Sequence, residues 1–442
     1  MNSFRRQIRS KVLAFLWFGA LRRYRIDKPV VIAIGGSVGK TSTKEAVALL
    51  LETAELQVRK TQGNMATDFG VALSLLGCTD TPANMGAWLG VAWRVIAPYR
   101  KQADYYVLEY SSDMNGDTAF LTQKIPPHIA ILSTLVPVHM EQYGDIASMV
   151  EETVSLIDAL PADGVIIANS DDAYQQKALS PKRKGSRLLL WYGTAKKEAP
   201  TKQGIWAHGI AMGKNGLEGT ITLMAAGGVD GLNSRGKSIP IRTQVLGEYQ
   251  LYPLLAATGV AQVLQLPFTV IKETANRYHL PSGRGRLIEG RNGMTIIDDS
   301  ANASPEAVKA GLGLLKPFAG NRRSVAILGT MNELGETSKE AHIDVAEAAA
   351  KQATSLIAIG KYAPLMVEAA KKAGMPSEHV TGFANPEQLM GHINQLVQRN
   401  DVIYIKASQD GMRLERVVKT LMAKPNQAAE LLVRQGAYWQ TH

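Results

Sequence analysis

Residues 31–43 read Val-Ile-Ala-Ile-Gly-Gly-Ser-Val-Gly-Lys-Thr-Ser-Thr. An apolar, β-branched run ends in a glycine-rich turn, and Lys40 and Thr41 open a helix directly after it. Such a segment constrains the whole fold, because a strand this apolar must lie inside a sheet and its helix must return across one face. Glycines at 35, 36 and 39 let the backbone turn tightly and direct N–H groups at an anion, which the following helix dipole also favours. The spacing predicts a phosphate cradle made of Gly36, Ser37, Gly39, Lys40, Thr41 and Ser42. In it Lys40 reaches β- and γ-phosphates and the Thr41 hydroxyl holds Mg²⁺. Ile34 stands where the usual phosphate loop has its first glycine, so the loop is a shortened G-x-x-G-K-T form. The plain alternative is a tight strand-to-helix connection with no ligand.

Strand and helix patterns alternate from residue 30 to about 280, as a mostly parallel sheet covered by helices requires. Residues 30–34, 105–109, 129–134 and 164–168 read as strands, and 44–51 as helix. Residues 183–245 read as small strands and loops. Ligands in open α/β sheets sit at the carboxyl ends of strands, so Glu109, His139 and Asn169 are candidates to converge on the Lys40 loop. A second α/β unit begins near Ser282, with strands at 295–297, 324–328, 355–359 and 402–405. Helical stretches fall at 305–315, 339–352 and 412–422. The expected layout is a basic segment over 1–28, a central ATP-binding domain over 29–280 and a carboxy-terminal Rossmann-like α/β domain over 281–442 that closes over the nucleotide.

A chain of 442 residues is too long for one hydrophobic core. Its single cysteine, Cys78, excludes an internal disulfide and a cysteine-rich metal site and suits a reducing, cytoplasmic setting. Of the eight histidines, the seven other than His139 lack metal-ligand spacing. Net charge is +10, yet seven cations precede the first acid, Asp27, so the excess gathers at the front rather than along a nucleic-acid-binding face. The apolar run over 12–21 is far short of the ~20 residues a membrane-crossing helix needs. Arg22-Arg23-Tyr24-Arg25 also replaces the small-residue cleavage site of a signal peptide. Two readings are open: residues 1–25 form an amphipathic helix on the inner face of an anionic membrane, or they pack on the first domain with Trp17 and Phe18 buried.

Taken together, the motifs resemble the Mur ligase family, most closely its D-alanyl-D-alanine-adding branch, over nearly all of residues 29–425. The resemblance rests on the phosphate loop; on Gly63-Asn64 ahead of Gly70-Val71; on Leu108-Glu109, His139-Met-Glu141 and Asn169-Ser-Asp171-Asp172. It continues in Gly285-Arg286, in Ile297-Asp-Asp-Ser-Ala-Asn-Ala-Ser-Pro305, in Leu328-Gly-Thr-Met-Asn-Glu-Leu-Gly335 with Ser338 and His342, and in Lys406-Ala-Ser408 with Met412-Arg-Leu-Glu415. It implies an ATP- and Mg²⁺-dependent ligase that joins a carboxylate to an amine through an acyl phosphate. Both steps build negative charge, so such catalysis depends on cations and orientation.

By that resemblance Lys40, His139 and Arg286 are catalytic. Thr41 with Glu109 forms a first Mg²⁺ site and His139 serves a second, while Asn169, Arg286 and Asp299 attend the nucleotide. Asn302, Lys406, Ser408 and Arg413 face the substrates. Taken singly, each has a plainer reading: Glu109 as a strand-end acid paired with a surface arginine, His139 as a core histidine, Asp298 and Asp299 as caps of the helix near Pro305, Arg413 and Glu415 as a solvated helix face.

The sequence also departs from the pattern. Thr153 stands where the family carries a carbamylated lysine, so the second metal must be looser, absent, or held by Glu151 or Glu152. Ala301 replaces an aromatic residue. Residues 1–28 stand where typical members carry a domain that grips a UDP-sugar, which suggests a lipid-linked or membrane-proximal acceptor. The partners implied are an amino-acid or dipeptide amine and a carboxylate acceptor such as a muramoyl peptide. Two alternatives remain: a ligase of the same fold that makes another amide, and an ATP-binding partner or scaffold that has lost turnover.

Overall fold

A computed structural model describes residues 2–63, 65–110, 115–137, 140–195, 203–213, 216–224, 237–332, 334–408, 411–436 and 439; for 2–6, 140 and 141 it describes backbone only. The chain divides into two compact units, Met1–Tyr278 and His279–His442.

In the first unit a helix, α1 (Asn2–Asp27), precedes strand β1 (Val30–Gly35), whose residues 31–35 are all buried. Next come α2 (Lys40–Thr53), β2 (Val58–Lys60), α3 (Asp68–Leu75), α4 (Met85–Ile96), β3 (Tyr105–Glu109), α5 (Asp117–Lys124), β4 (Ile129–Leu132) and β5 (Val165–Asn169). The region 183–245 contributes β6 (Leu188–Ala195), β7 (Gly204–Gly213), β8 (Gly216–Met224) and β9 (Lys237–Arg242). These strands form one sheet in the order β2-β3-β1-β4-β5-β6-β7-β8-β9. Pairing is parallel from β2 to β7 and antiparallel for β8 and β9. The chain passes from β3 on one side of β1 to β4 on the other. The carboxyl end of β1 is therefore the point where the winding reverses, the place where open α/β sheets form a ligand crevice.

The front helix belongs to this unit's core. Leu16, Trp17 and Ala20 are buried in it, and the Trp17 ring meets Phe120 edge-on with centroids 6.0 Å apart. Gly19 permits the approach of α4, since a Cβ there would lie 3.0 Å from Val95 Cα. Arg22 donates to the carbonyls of Ile96 and Ala97 at 3.1 Å, and Arg23 donates to Arg94 O at 3.0 Å. These bonds satisfy the carbonyls that the end of α4 leaves without partners. Asp27 closes the arrangement from its buried position, accepting from Tyr106 OH at 2.6 Å, Tyr99 OH at 2.8 Å and Gln102 N at 2.9 Å. Of the two aromatics expected inside a packed helix, Trp17 is buried while Phe18 is exposed, because it lies on the stripe turned away from α3 and α4.

The second unit has strands β10 (Arg286–Glu289), β11 (Thr295–Asp298), β12 (Ser324–Leu328), β13 (Ser355–Ile359), β14 (Val380–Phe383) and β15 (Val402–Lys406). Their order is β10-β11-β15-β12-β13-β14, with β10 antiparallel to β11 and the rest parallel. Gly311, on the helix Pro305–Ala319, leaves room for the Tyr404 ring: a Cβ there would fall 2.1 Å from the Tyr404 hydroxyl. The stretch expected to be helical from 412 becomes so only at Glu415, since Arg413 takes a positive φ of 45°. Among the described residues no helix is long and apolar enough to cross a membrane.

Candidate active site

The phosphate loop hangs from the end of β1. Gly36 has φ of 138°, and a Cβ there would come 2.0 Å from Ser133 Oγ. Gly39 caps α2 in the left-handed region with φ of 88°. Both positions thus require glycine, one for space and one for conformation. The N–H groups of Ser37 and Val38 donate to Thr134 O at 3.0 and 3.1 Å, so they pin the loop to the end of β4 instead of facing an anion. For these two amides the expectation of an outward-pointing N–H is corrected. The groups suited to an anion are the first-turn amides of α2, which intrahelical bonding does not use. The Lys40 ammonium lies over the loop, donating to Gly36 O at 2.7 Å and Ser37 O at 3.2 Å.

Register sets the acidic partner beside this loop. Glu109 ends β3 opposite Ile34, and its Oε1 accepts from Thr41 Oγ1 at 3.1 Å. Its Oε2 is buried without a hydrogen bond, with Lys44 Nζ at 3.6 Å. Glu109 is therefore paired with a buried lysine and not with a surface arginine. Lys44 is fully buried and also donates to Gly63 O at 2.8 Å. It lies one helical turn after Lys40, and the Lys-x-x-x-Lys spacing was the signal that could have marked it. A hydroxyl, a carboxylate and an orphaned carboxylate oxygen are hard donors of the type Mg²⁺ prefers, so Thr41 and Glu109 fit that ion.

Asn169 lies at the end of β5 and is buried. Its amide donates to Thr134 Oγ1 at 3.4 Å, and its Oδ1 accepts from Asp171 N at 2.9 Å, which ties the β5 end to the residue that holds the loop. Ser42 is buried on the first turn of α2. His139 lies outside the described residues. Thr153 is buried, and its hydroxyl donates to Met149 O at 3.1 Å. The two glutamates considered as substitutes are engaged elsewhere. Glu151 pairs with Arg183 at 2.8 Å, and Glu152 accepts from Gly116 N and Thr118 N at the start of α5.

In the second unit Arg286 begins β10 opposite Asp298, and its burial lowers its pKa. Asp298 accepts from Gly283 N at 3.1 Å and Ser300 N at 3.2 Å; burial pushes its pKa up to about 6. Asp299 takes the other face, accepting from Lys406 Nζ at 2.7 Å and Tyr404 OH at 3.0 Å. Burial draws the Lys406 pKa down, against the pull of Asp299. Neither acid caps the helix after them: Ser304 does, accepting from Ala307 N. Ser408 accepts from Asn332 N at 2.9 Å and donates to Ala303 O at 3.4 Å, beside the exposed Asn302. Glu415 is buried between two arginines, with Arg413 Nε at 3.4 Å and Arg434 Nη2 at 2.7 Å, so this pair is not a solvated helix face. Among the described residues no three His, Cys, Asp or Glu side chains gather as a metal cluster.

The first unit thus combines a phosphate loop, a lysine and a hard-cation pair at one sheet end, an arrangement able to hold a nucleoside polyphosphate. The second gathers Arg286, Asp299 and Lys406 about the ends of β10, β11 and β15. Residues 34–261 match the model of the Mur ligase middle domain, and residues 283–409 that of the Mur ligase glutamate ligase domain. The UDP-N-acetylmuramoyl-tripeptide–D-alanyl-D-alanine ligase of Bacillus subtilis is 25% identical over 396 residues, covering 89% of this chain and 76% of the relative. That of Escherichia coli is 27% identical over 415 residues, covering 92% and 80%. The solved structure of the MurF ligase of Thermotoga maritima in complex with ADP superposes with a TM-score of 0.70 at 23% identity, covering 95% and 84%.

Proposed function

The chain belongs to the Mur ligase family, and from that premise we propose that it is an ATP- and Mg²⁺-dependent ligase that joins a carboxylate to an amine, as D-alanyl-D-alanine-adding ligases do. The observation that carries this reading is the Thr41–Glu109 pair, with its unbonded buried Oε2, beside the Gly36 and Gly39 loop. A carboxylate oxygen of the acceptor attacks the γ-phosphorus of ATP and ADP departs. The amine nitrogen then attacks the acyl carbon, phosphate leaves, and the amine gives up its proton. Lys40 and the first-turn amides of α2 hold the β- and γ-phosphates as charge builds on them. When bound, Mg²⁺ supplies charge neutralisation at those oxygens, and Thr41 and Glu109 are the residues that would hold it. Lys44, 3.6 Å from Glu109 Oε2, orients that carboxylate.

The remaining assignments rest on the family resemblance: His139 for a second metal, Asn169, Arg286 and Asp299 for the nucleotide, and Asn302, Lys406, Ser408 and Arg413 for the substrates. The substrate class is a D-alanyl-D-alanine-type dipeptide amine and a muramoyl-peptide carboxylate, either soluble or lipid-linked at the cytoplasmic face of a membrane.

Phosphate release measured with D-alanyl-D-alanine and a UDP-muramoyl tripeptide tests the reading. Stimulation by the pair supports it, whereas stimulation only by another amine and acid moves the activity to a different amide. A second reading, a nucleotide-binding partner without turnover, is favoured by Thr153, whose hydroxyl is committed to its own helix. ATP binding with no phosphate release for any pair would select it.

A further inference from the structure

Helix α4 leaves its most apolar stripe in solvent. Only Val91 and Val95 of its residues are buried, while Met85, Leu89, Trp93 and Ile96 are 59–78% exposed. Their spacing of four, four and three puts them on one face. Helix α1, which packs against α4 through Gly19 and Arg22, leaves Ile8, Phe15 and Phe18 exposed as well. Of the eleven large apolar side chains exposed among the described residues, eight lie on these two helices. Exposed apolar residues scattered singly need no explanation, but a concentration of this kind marks a surface that is covered in use.

Charge identifies what covers it. Residues 1–26 and 81–103 hold ten cations and no carboxylate. Lys11, Arg25 and Arg100 are exposed within those stretches. Asp68 and Asp104, from outside these stretches, pair with Arg9 and Lys101. Apolar side chains including a tryptophan, set among the other cations, match the boundary of an anionic bilayer, where rings and aliphatic groups enter the headgroup layer and cations meet lipid phosphates. We propose that α4 is an interfacial membrane anchor: Met85, Leu89, Trp93 and Ile96 insert into an anionic lipid surface, and the cations of α1 and of the segment after α4 hold it there. No described helix can span a bilayer, so the anchor lies in the interface plane. This assigns attachment chiefly to α4, which is held to the first unit by the arginine bonds of α1, and it stands independently of the ligase reading.

Flotation of the full-length protein with vesicles tests it. The protein should float with phosphatidylglycerol-containing vesicles and stay down with pure phosphatidylcholine vesicles, and high salt should weaken the association. Leu89→Asp and Trp93→Asp should each lower partitioning about tenfold or more, as expected from losing one inserted apolar side chain and adding a charge. Lys11→Glu with Arg25→Glu should lower it on anionic vesicles. ATP affinity by calorimetry should not change in any variant, which separates loss of docking from loss of fold. Absence of flotation by the parent protein would overturn the proposal, as would variants that float like it. A dimer in light scattering that Leu89→Asp dissociates would overturn it too, by assigning the face to a second copy of the chain.

Discussion

Lys44 carries a large energetic stake at the site. Its ammonium is fully buried against Glu109 and Gly63 O, and removing one member of such a pair leaves the other charged and uncompensated. Lys44→Met should destabilise the first unit by about 3 kcal/mol in urea unfolding. It should also weaken Mg²⁺-ATP binding, because Glu109 then loses the partner that orients it. Lys40→Ala should behave differently: Lys40 bonds the loop carbonyls of Gly36 and Ser37 and is not fully buried, so stability should hold within about 1 kcal/mol while ATP turnover is lost. Equal effects on stability from the two substitutions would contradict this division of roles. Lys44 was hard to recognise in the sequence because helix position does not reveal that a lysine is buried. Glu109 and Asn169 were legible because each ends an apolar run, and a polar residue there has few places to point other than the ligand end of the sheet.

At the scale of elements, His342 on the helix Ser338–Gln352 links acid to stability in the second unit. Its Nε2 accepts from Met331 N at 2.9 Å, so Nδ1 carries the proton and donates to Ser338 O at 2.6 Å. Protonation would set an N–H against an N–H, and burial lowers its pKa. A base with a lowered folded pKa contributes stability above its unfolded value of about 6.5 and loses it as pH falls through the folded value. His342→Gln should therefore flatten the acid limb of unfolding measured below pH 6.5; an unchanged limb would assign that loss to other groups. Gly36→Ala should push the phosphate loop off Ser133 and cut ATP affinity by at least about tenfold, with α2 still formed as judged by circular dichroism. Trp17→Ala should cost about 3–5 kcal/mol in thermal or urea unfolding, since Trp17 lies in the core of the first unit. The long apolar strands were legible as sequence. Three short ones were not: β2 has one apolar residue among Val58, Arg59 and Lys60, β10 has only Leu287 and Ile288 and lies at an edge, and β14 contains Gly382. Local pattern is too weak in such strands, and pairing with an already formed neighbour decides them.

For the whole molecule, the alternation of strands and helices and the glycine loop made an α/β fold with a phosphate site readable in advance. The strand order, the burial of α1 and the exposure of α4 were not, because each depends on contacts between segments far apart in sequence. The second unit has its own buried cluster of aliphatic residues from β10 to the helix Ala428–Leu431. A fragment of residues 279–442 should accordingly show cooperative unfolding and native-like amide dispersion by NMR; a collapsed, unstructured fragment would mean that its core needs the rest of the chain.

The position of α1 has a consequence for synthesis. It leaves the ribosome well before its partners do, since the surfaces that cover Leu16, Trp17 and Ala20 belong to α3, α4 and α5 and end only at Lys124. At translation rates of about 5–20 residues per second, that apolar face waits for many seconds without its partners. The nascent chain should thus be a chaperone client until α5 emerges, and the first unit should complete its folding late, when α1 finally docks.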